Sequence, residues 1–169
     1  MGLSKLVYIG NVGKSYDLAT VVAAVAGMEG VELHLATAGG ALGDRPLPEC
    51  CHNHGYLGAE ELEKLLATCD IGLVPMWPAS CVGIPYKLGD YAKAALKIVE
   101  SLGGETGDLV AKFGVGTHYV AGDVESCRAA ISAALALQVP PEAFAAFRDC
   151  FDAKKIYSAY VDWVSKGLL

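Results

Sequence analysis

The sequence predicts one α/β domain: a doubly wound, Rossmann-like parallel sheet of about six strands with helices on both faces. Three observations carry this prediction. Short apolar runs alternate with helical patterns along the 169 residues. The most apolar stretches are brief and broken by glycine or charge, which suits strands buried on both faces. Glycine-bearing turns lead from the runs into the next helix, as in a strand–turn–helix unit.

The elements follow in order. Residues 6–9 read as a first strand ending in the turn Gly10-Asn11-Val12-Gly13-Lys14. Ser15 or Asp17 can cap the next helix, where Leu18, Val21, Val22, Val25 and Met28 recur at helical spacing and Gly27 and Gly30 mark the end. Residues 31–36 form a second strand closing on Gly39 and Gly40, and residues 41–49 a loop rich in turn formers. Residues 51–57 give a third strand. Residues 59–68 give a helix with Leu62, Leu65 and Leu66 on its apolar face and Glu60, Glu61, Glu63 and Lys64 on its wet one. A strand at 71–74, a loop, a helix at 86–95 and a strand around Ile98 and Val99 come next. A short helix at 106–112, a last strand at 117–120 and an alanine-rich helix at 123–137 complete the alternation. Pro140 and Pro141 break the chain, and residues 142–166 make one or two terminal helices.

Composition narrows the function. Hydrophobic residues make up 53% of the chain, with a mean hydropathy of +0.38, yet no stretch approaches the ~20 apolar residues of a spanning helix. A net charge of −6 and a pI near 5.1 argue against a general nucleic-acid binder. The first residues lack a basic segment followed by a long apolar run, so no secretory signal is expected. A cytoplasmic setting, with the six cysteines reduced, is the expectation. Cys69 and Cys127 fall within helical patterns and read as small core or helix-surface residues.

Several motifs can carry chemistry. In the first turn, Gly10 and Gly13 let backbone approach a ligand, the helix start offers free N–H groups and Lys14 adds a positive charge. The turn is neither a GxGxxG fingerprint nor a Walker A loop, and a plain strand–helix turn is the alternative. The run Cys50-Cys51-His52-Asn53-His54 invites zinc. No CxxC pair supports it, however, and His34 and His118 lie far off in sequence, so a polar strand is the simpler reading. Ser80-Cys81-Val82-Gly83 is a loop at a strand end, and Cys81 has no assignable base to make it a nucleophile. Lys87 and Asp90 share a helix face; they form either a surface pair or, for Asp90, a ribose-binding acid beside a crevice. Glu105, after Gly103 and Gly104, fits the acid preference of a helix start.

Taken in order, the segments 8–14, 54–58, 61–66, 69–75, 83–91, 101–105, 114–116 and 122–123 resemble the donor-binding, C-terminal half of a GT-B glycosyltransferase. The resemblance is to family 4 of the retaining enzymes, in the subgroup acting on cell-surface polysaccharides. It implies that Gly10, Asn11, Gly13 and Lys14 face the donor diphosphate, and that the backbone at Tyr56, Leu57 and Gly58 meets the base. It also implies that Ser80, Cys81, Val82, Gly83 and Ile84 lie against phosphates or sugar, with Lys87 nearby, and that Asp90 holds the ribose as the second acid of the family's paired-glutamate motif. The first acid of that motif is replaced by Val82. Tyr86, Ala95 and Lys97 stand where the subgroup usually has Asn, Gly and Pro.

The implied activity is hexosyl transfer from a nucleotide diphosphate sugar, without an obligatory metal or other cofactor. Lys14 and helix-start amides would stabilise the leaving diphosphate. The acceptor-binding domain of a GT-B enzyme precedes this half. The expectation is therefore an incomplete, inactive half that needs a partner domain or chain, with membrane association only through that missing half. The apolar residues Phe147, Phe151, Ile156, Tyr160 and Trp163 pack on this domain or, in part, face that partner. A non-catalytic nucleotide- or partner-binding module is the alternative, and a flavodoxin-like or reductase domain a third, disfavoured by the missing GxGxxG.

Overall fold

The structure, a computed structural model, describes residues 2–38 and 46–167. The turn expected at Gly39 and Gly40 and part of the loop expected over 41–49 lie outside them. The described residues form six strands: β1 (Ser4–Ile9), β2 (Val31–Ala36), β3 (Cys51–Asn53), β4 (Ile71–Val74), β5 (Lys97–Glu100) and β6 (Gly116–His118). Every neighbouring pair is parallel, in the order β3-β2-β1-β4-β5-β6. Seven α-helices surround this sheet: α1 (Leu18–Val25), α2 (Ala59–Leu66), α3 (Lys87–Lys93), α4 (Gly104–Phe113), α5 (Val124–Ala136), α6 (Pro141–Asp149) and α7 (Ala153–Gly167). The chain has the predicted Rossmann-like architecture.

Burial on both faces explains the continuous apolar runs. On β1, Leu6 and Tyr8 enter one core with α1 and α5, packed by Val21, Val25, Cys127 and Ile131. Val7 and Ile9 enter the opposite core with Leu66, Leu88, Tyr91, Val110 and Phe147 from α2, α3, α4 and α6. Each face thus removes its apolar area from water, at ~25 cal/mol per Å².

The strand order reverses between β1 and β4, and there the sheet opens. β1 pairs with β2 from Ser4↔Val31 to Ile9↔Ala36, but with β4 only at Leu6↔Ile71 and Val7↔Gly72. Tyr91, fully buried on α3, fills the widening gap: its hydroxyl lies 3.1 Å from the Leu73 carbonyl and 3.3 Å from that of Val7, and accepts from Ile9 N–H at 3.2 Å. A Cβ on Gly72 would collide with the Tyr91 ring, so glycine at that strand position makes room for it.

Several boundaries differ from expectation for local reasons. β3 stops at Asn53 rather than at residue 57. Gly55 adopts φ +70° and its N–H donates to Asn53 Oδ1 at 3.0 Å, an Asx-type turn that leads the chain off the sheet. α3 ends at Lys93, and Ala95 takes a left-handed φ of +53° while Leu96 N–H returns to the Tyr91 carbonyl at 3.0 Å. Cys69 lies beyond α2, not within it. α4 starts earlier, at Gly104, and the last strand is shorter, Gly116–His118. The terminal stretch is two helices, the second of the two arrangements expected, and the apolar residues of the helical pattern are divided between them. Phe147 is fully buried and Phe151 packs beside it, whereas Ile156, Tyr157, Tyr160, Val161 and Trp163 on α7 are exposed. Packing of all five predicted residues on this domain is therefore not what the fold shows.

Among the described residues no single helix is long and apolar enough to cross a membrane. α5 and α6 together are apolar enough, but they bend by 116° and bury Ile131 and Phe147 in the two cores.

Candidate functional site

A cavity of about 530 Å³ opens at the carboxyl ends of β1, β2 and β4, where the strand order reverses. Open α/β sheets place their ligands at this kind of position, because two loops diverge there and leave a crevice. Its wall is built from Gly10 and Asn11 after β1, Ala36 and Ala38 at the end of β2, Tyr56 and Leu57 before α2, and Val82, Ile84, Pro85, Lys87 and Asp90 from the loop and helix after β4. A second cavity of about 600 Å³ runs between α2 and α3 and shares Leu62 and Asp90 with the first.

The loops around the crevice are fastened to each other. Tyr16 and Met76 form an antiparallel bridge, Asp17 N–H donates to the Pro75 carbonyl at 2.8 Å, and Trp77 N–H donates to the Ser15 carbonyl at 3.0 Å. Asp17, at the start of α1, is buried and does not cap the helix backbone. It accepts instead from the Thr20 hydroxyl at 2.6 Å and from Gly122 N–H at 2.7 Å, tying the first turn to the loop before α5. Asp123 is the cap of α5, accepting from Ser126 N–H at 2.9 Å. On the far side, the Ser101 hydroxyl donates to the Met76 carbonyl and accepts from Met76 N–H, both at 3.0 Å. Buried Glu100 accepts from Gly103 N–H at 2.8 Å and lies 2.6 Å from His118 Nδ1.

The sequence-predicted residues divide into two groups. Gly10, Asn11, Tyr56, Leu57, Val82, Ile84, Lys87 and Asp90 converge on the cavity. Gly13 and Lys14 are exposed outside its wall, with the Gly13 carbonyl accepting from Tyr16 N–H at 3.0 Å in the turn. Ser80 sits in a short 3-10 turn (Pro78–Ser80), its buried hydroxyl without a hydrogen-bond partner among the described residues. Cys81 is exposed at φ +57° and its thiol faces the Ala79 carbonyl. Gly83 touches the opposite lip: its carbonyl accepts from the Thr106 hydroxyl at 2.6 Å, and a Cβ there would strike the Glu105 carboxylate.

The surface pairing of Lys87 with Asp90 is not formed. Asp90 stands 3.9 Å from Lys93. Lys87 is only 8% exposed, and its Nζ lies 3.9 Å from the centroid of the Tyr8 ring and 4.6 Å from that of Tyr16. No hydrogen-bond acceptor meets this Nζ among the described residues. Burial pushes its pKa down to about 7, because water is withdrawn from the charged form and no carboxylate replaces it. Tyr8, Tyr16 and Tyr91 were not identifiable as site-builders in the sequence. Each occupies a position that reads as ordinary core or loop, and the continuous apolar run of β1 does not say which core Tyr8 enters.

Among the described residues no group of three or more His, Cys, Asp or Glu is arranged to hold a metal. The histidines of the 50–54 run pack instead with β2: His34 Nδ1 and His54 Nε2 are 2.9 Å apart, and His52 and His34 both approach Glu32.

Crevice, strand order and loop arrangement define a class: the chain has the fold of one half of a GT-B glycosyltransferase. HepE from Anabaena, solved in complex with UDP, superposes with a TM-score of 0.79 at 14% identity over 98% of this chain and 49% of that one. Sucrose-phosphate synthase from Thermosynechococcus elongatus gives a TM-score of 0.75 at 15% identity, covering 98% of this chain and 45% of that one. The calicheamicin glycosyltransferase CalG4 gives 0.65 at 16% identity, covering 98% and 42%. The chain thus spans about half the length of these neighbours. No protein-family model matches the sequence, and no curated protein does.

Proposed function

We propose that this chain is the donor-binding half of a retaining glycosyltransferase and that it binds a nucleotide diphosphate sugar in the crevice after β1 and β4. The observation that carries the reading is the convergence of Gly10, Asn11, Lys87 and Asp90 on one cavity at the strand-order reversal. Neighbours of the same fold support it: HepE has been solved with UDP and with UDP-glucose. In this reading the Gly10–Asn11 backbone faces the diphosphate, the Tyr56–Leu57 wall receives the base, and Asp90 accepts from the ribose hydroxyls. Lys14, exposed outside the cavity wall, supplies a further positive charge to the diphosphate from there. Charge that builds on the departing diphosphate is met by amides and lysine ammonium groups, with no metal required.

The reaction belongs to polysaccharide or glycoconjugate synthesis in the cytoplasm. It takes place only when a second α/β half supplies the acceptor side. Exposed apolar residues around the mouth (Tyr56, Val82, Ile84 and Tyr86) and along α7 support such a partner, since they leave apolar surface unsatisfied on this half alone. The chain by itself is inactive in transfer. The competing reading, a non-catalytic nucleotide-binding module, draws on Val82, which puts an apolar side chain where the family has its first acid.

Titration calorimetry with UDP-glucose and GDP-mannose tests the proposal. One of them is expected to bind, and Asp90→Ala to weaken it about tenfold, the loss of ~1.4 kcal/mol that one hydrogen-bonded acid supplies. Absence of binding by either sugar nucleotide to a folded chain overturns it.

A further inference from the structure

We infer that, above neutral pH, diphosphate binding at this site is coupled to uptake of one proton by Lys87, so that the donor's arrival completes the charged floor of the pocket. The inference rests on the nucleotide-sugar reading above and deepens it. Its basis is geometric. Lys87 enters the cavity at the first turn of α3, and its Cε and Nζ lie 3.8 Å from where a Cβ on Gly10 would stand. The absent side chain at Gly10, with φ +112°, leaves an approach from the cavity toward the amine.

Among the described residues, the groups facing Nζ are the ring of Tyr8 from β1 and the ring of Tyr16 from the following loop. Along its own helix the nearest acid in sequence is Asp90, whose carboxylate lies 3.9 Å from Lys93. The Tyr8 hydroxyl is turned to the Asn11 carbonyl. Aromatic faces favour a cation, but they supply no acceptor to replace lost hydration. Burial without an acceptor pushes the pKa of this amine down to about 7, so the neutral form dominates above that pH. A diphosphate arriving over the Gly10–Asn11 backbone brings two negative charges and several acceptors. It stabilises the ammonium form, and the amine takes a proton from solvent: Lys87–NH2 plus H⁺ gives Lys87–NH3⁺, paired with the phosphate. A neutral empty pocket thus gains its cation with the ligand.

The experiment is calorimetry of the full chain with UDP-glucose and GDP-mannose, whose diphosphates carry no proton that titrates near neutrality. It is run at about pH 8 in buffers of different ionisation enthalpy and repeated at about pH 6. The expected result at pH 8 is a binding enthalpy that varies with the buffer, at close to one proton taken up per site. At pH 6 the uptake falls to a small fraction, because the amine is already charged. Lys87→Met removes the uptake and weakens binding at least tenfold, whereas Lys14→Met keeps the uptake. Binding without buffer dependence overturns the inference and leaves the nucleotide-sugar reading standing. So does uptake that survives in Lys87→Met. No binding of either nucleotide sugar, or of inorganic diphosphate, overturns both. The buffer series on the unsubstituted chain decides the matter even if Lys87→Met fails to fold.

Discussion

At the scale of single residues, Lys87 shows how far burial can invert the reading of a side chain. Spacing put Lys87 and Asp90 on one helix face, and lysine is by default a surface residue. Nothing in the local sequence says that the first residue of α3 points under β1, because that depends on where Tyr8 and Tyr16 lie. The cost is expected to show in the pH dependence of stability. The amine titrates at about 7 in the fold against 10.5 when unfolded, so the unfolded chain binds more protons between these values. Stability therefore rises with pH through that window, by up to ~1.4 kcal/mol per pH unit, and is lost as pH falls toward 7. Lys87→Met replaces the amine by an apolar group of similar length. It is expected to flatten this slope and to raise the urea midpoint at pH 7, by ~1–3 kcal/mol in unfolding free energy. Urea titrations of both proteins at about pH 7 and pH 9 check it; parallel slopes, with no gain at pH 7, contradict it.

At the scale of elements, the alternation of strands and helices was legible because both faces of the sheet are buried, which makes the strands apolar throughout. What was not legible is where local chemistry ends an element. β3 shortens because Asn53 and Gly55 form a turn that strand periodicity does not weigh. α3 ends with Ala95 in a left-handed conformation, at the position where the resembling enzymes have glycine. Lys97, where they have proline, also has a structural account: its Nζ donates to the carbonyls of Leu135 at 3.0 Å and Leu137 at 3.4 Å, fastening the C-terminus of α5 to β5. The conformation of Ala95 gives a prediction. A non-glycine residue at φ +53° carries a penalty of ~1–2 kcal/mol that glycine avoids, offset in part by glycine's larger entropy when unfolded. Ala95→Gly is thus expected to stabilise the fold by ~0.5–1 kcal/mol, although most substitutions destabilise. A raised thermal midpoint supports the assignment; a lowered one means that the turn does not hold this conformation in solution.

At the scale of the whole molecule, the position of the crevice follows from strand order. Strand order follows from pairings that no single segment declares; the ordered set of motifs anticipated it because several of them, such as residues 8–14, 69–75 and 101–105, lie at the ends of particular strands. For the helices at the end of the chain, periodicity left open how much of their apolar face packs on this domain. It placed Phe147 to Trp163 on a helical pattern that packs on the domain or in part faces a partner; Phe147 closes a core while Trp163 stays 71% exposed. On α7, Ile156, Tyr160 and Trp163 follow one another at helical spacing beside Tyr157 and Val161, a broad apolar stripe facing water. Such a stripe contributes little to the stability of this half and much to its tendency to associate. The double substitution Tyr160→Ser and Trp163→Ser is therefore expected to change unfolding free energy by no more than ~0.5 kcal/mol, as for other exposed positions. It should also lower concentration-dependent self-association, measured by sedimentation velocity, and leave the buffer-dependent enthalpy of nucleotide-sugar binding untouched, because α7 contributes no residue to the crevice. A loss of several kcal/mol would place α7 against the domain in solution and make its stripe part of a core, so the two measurements together separate a docking face from a structural one.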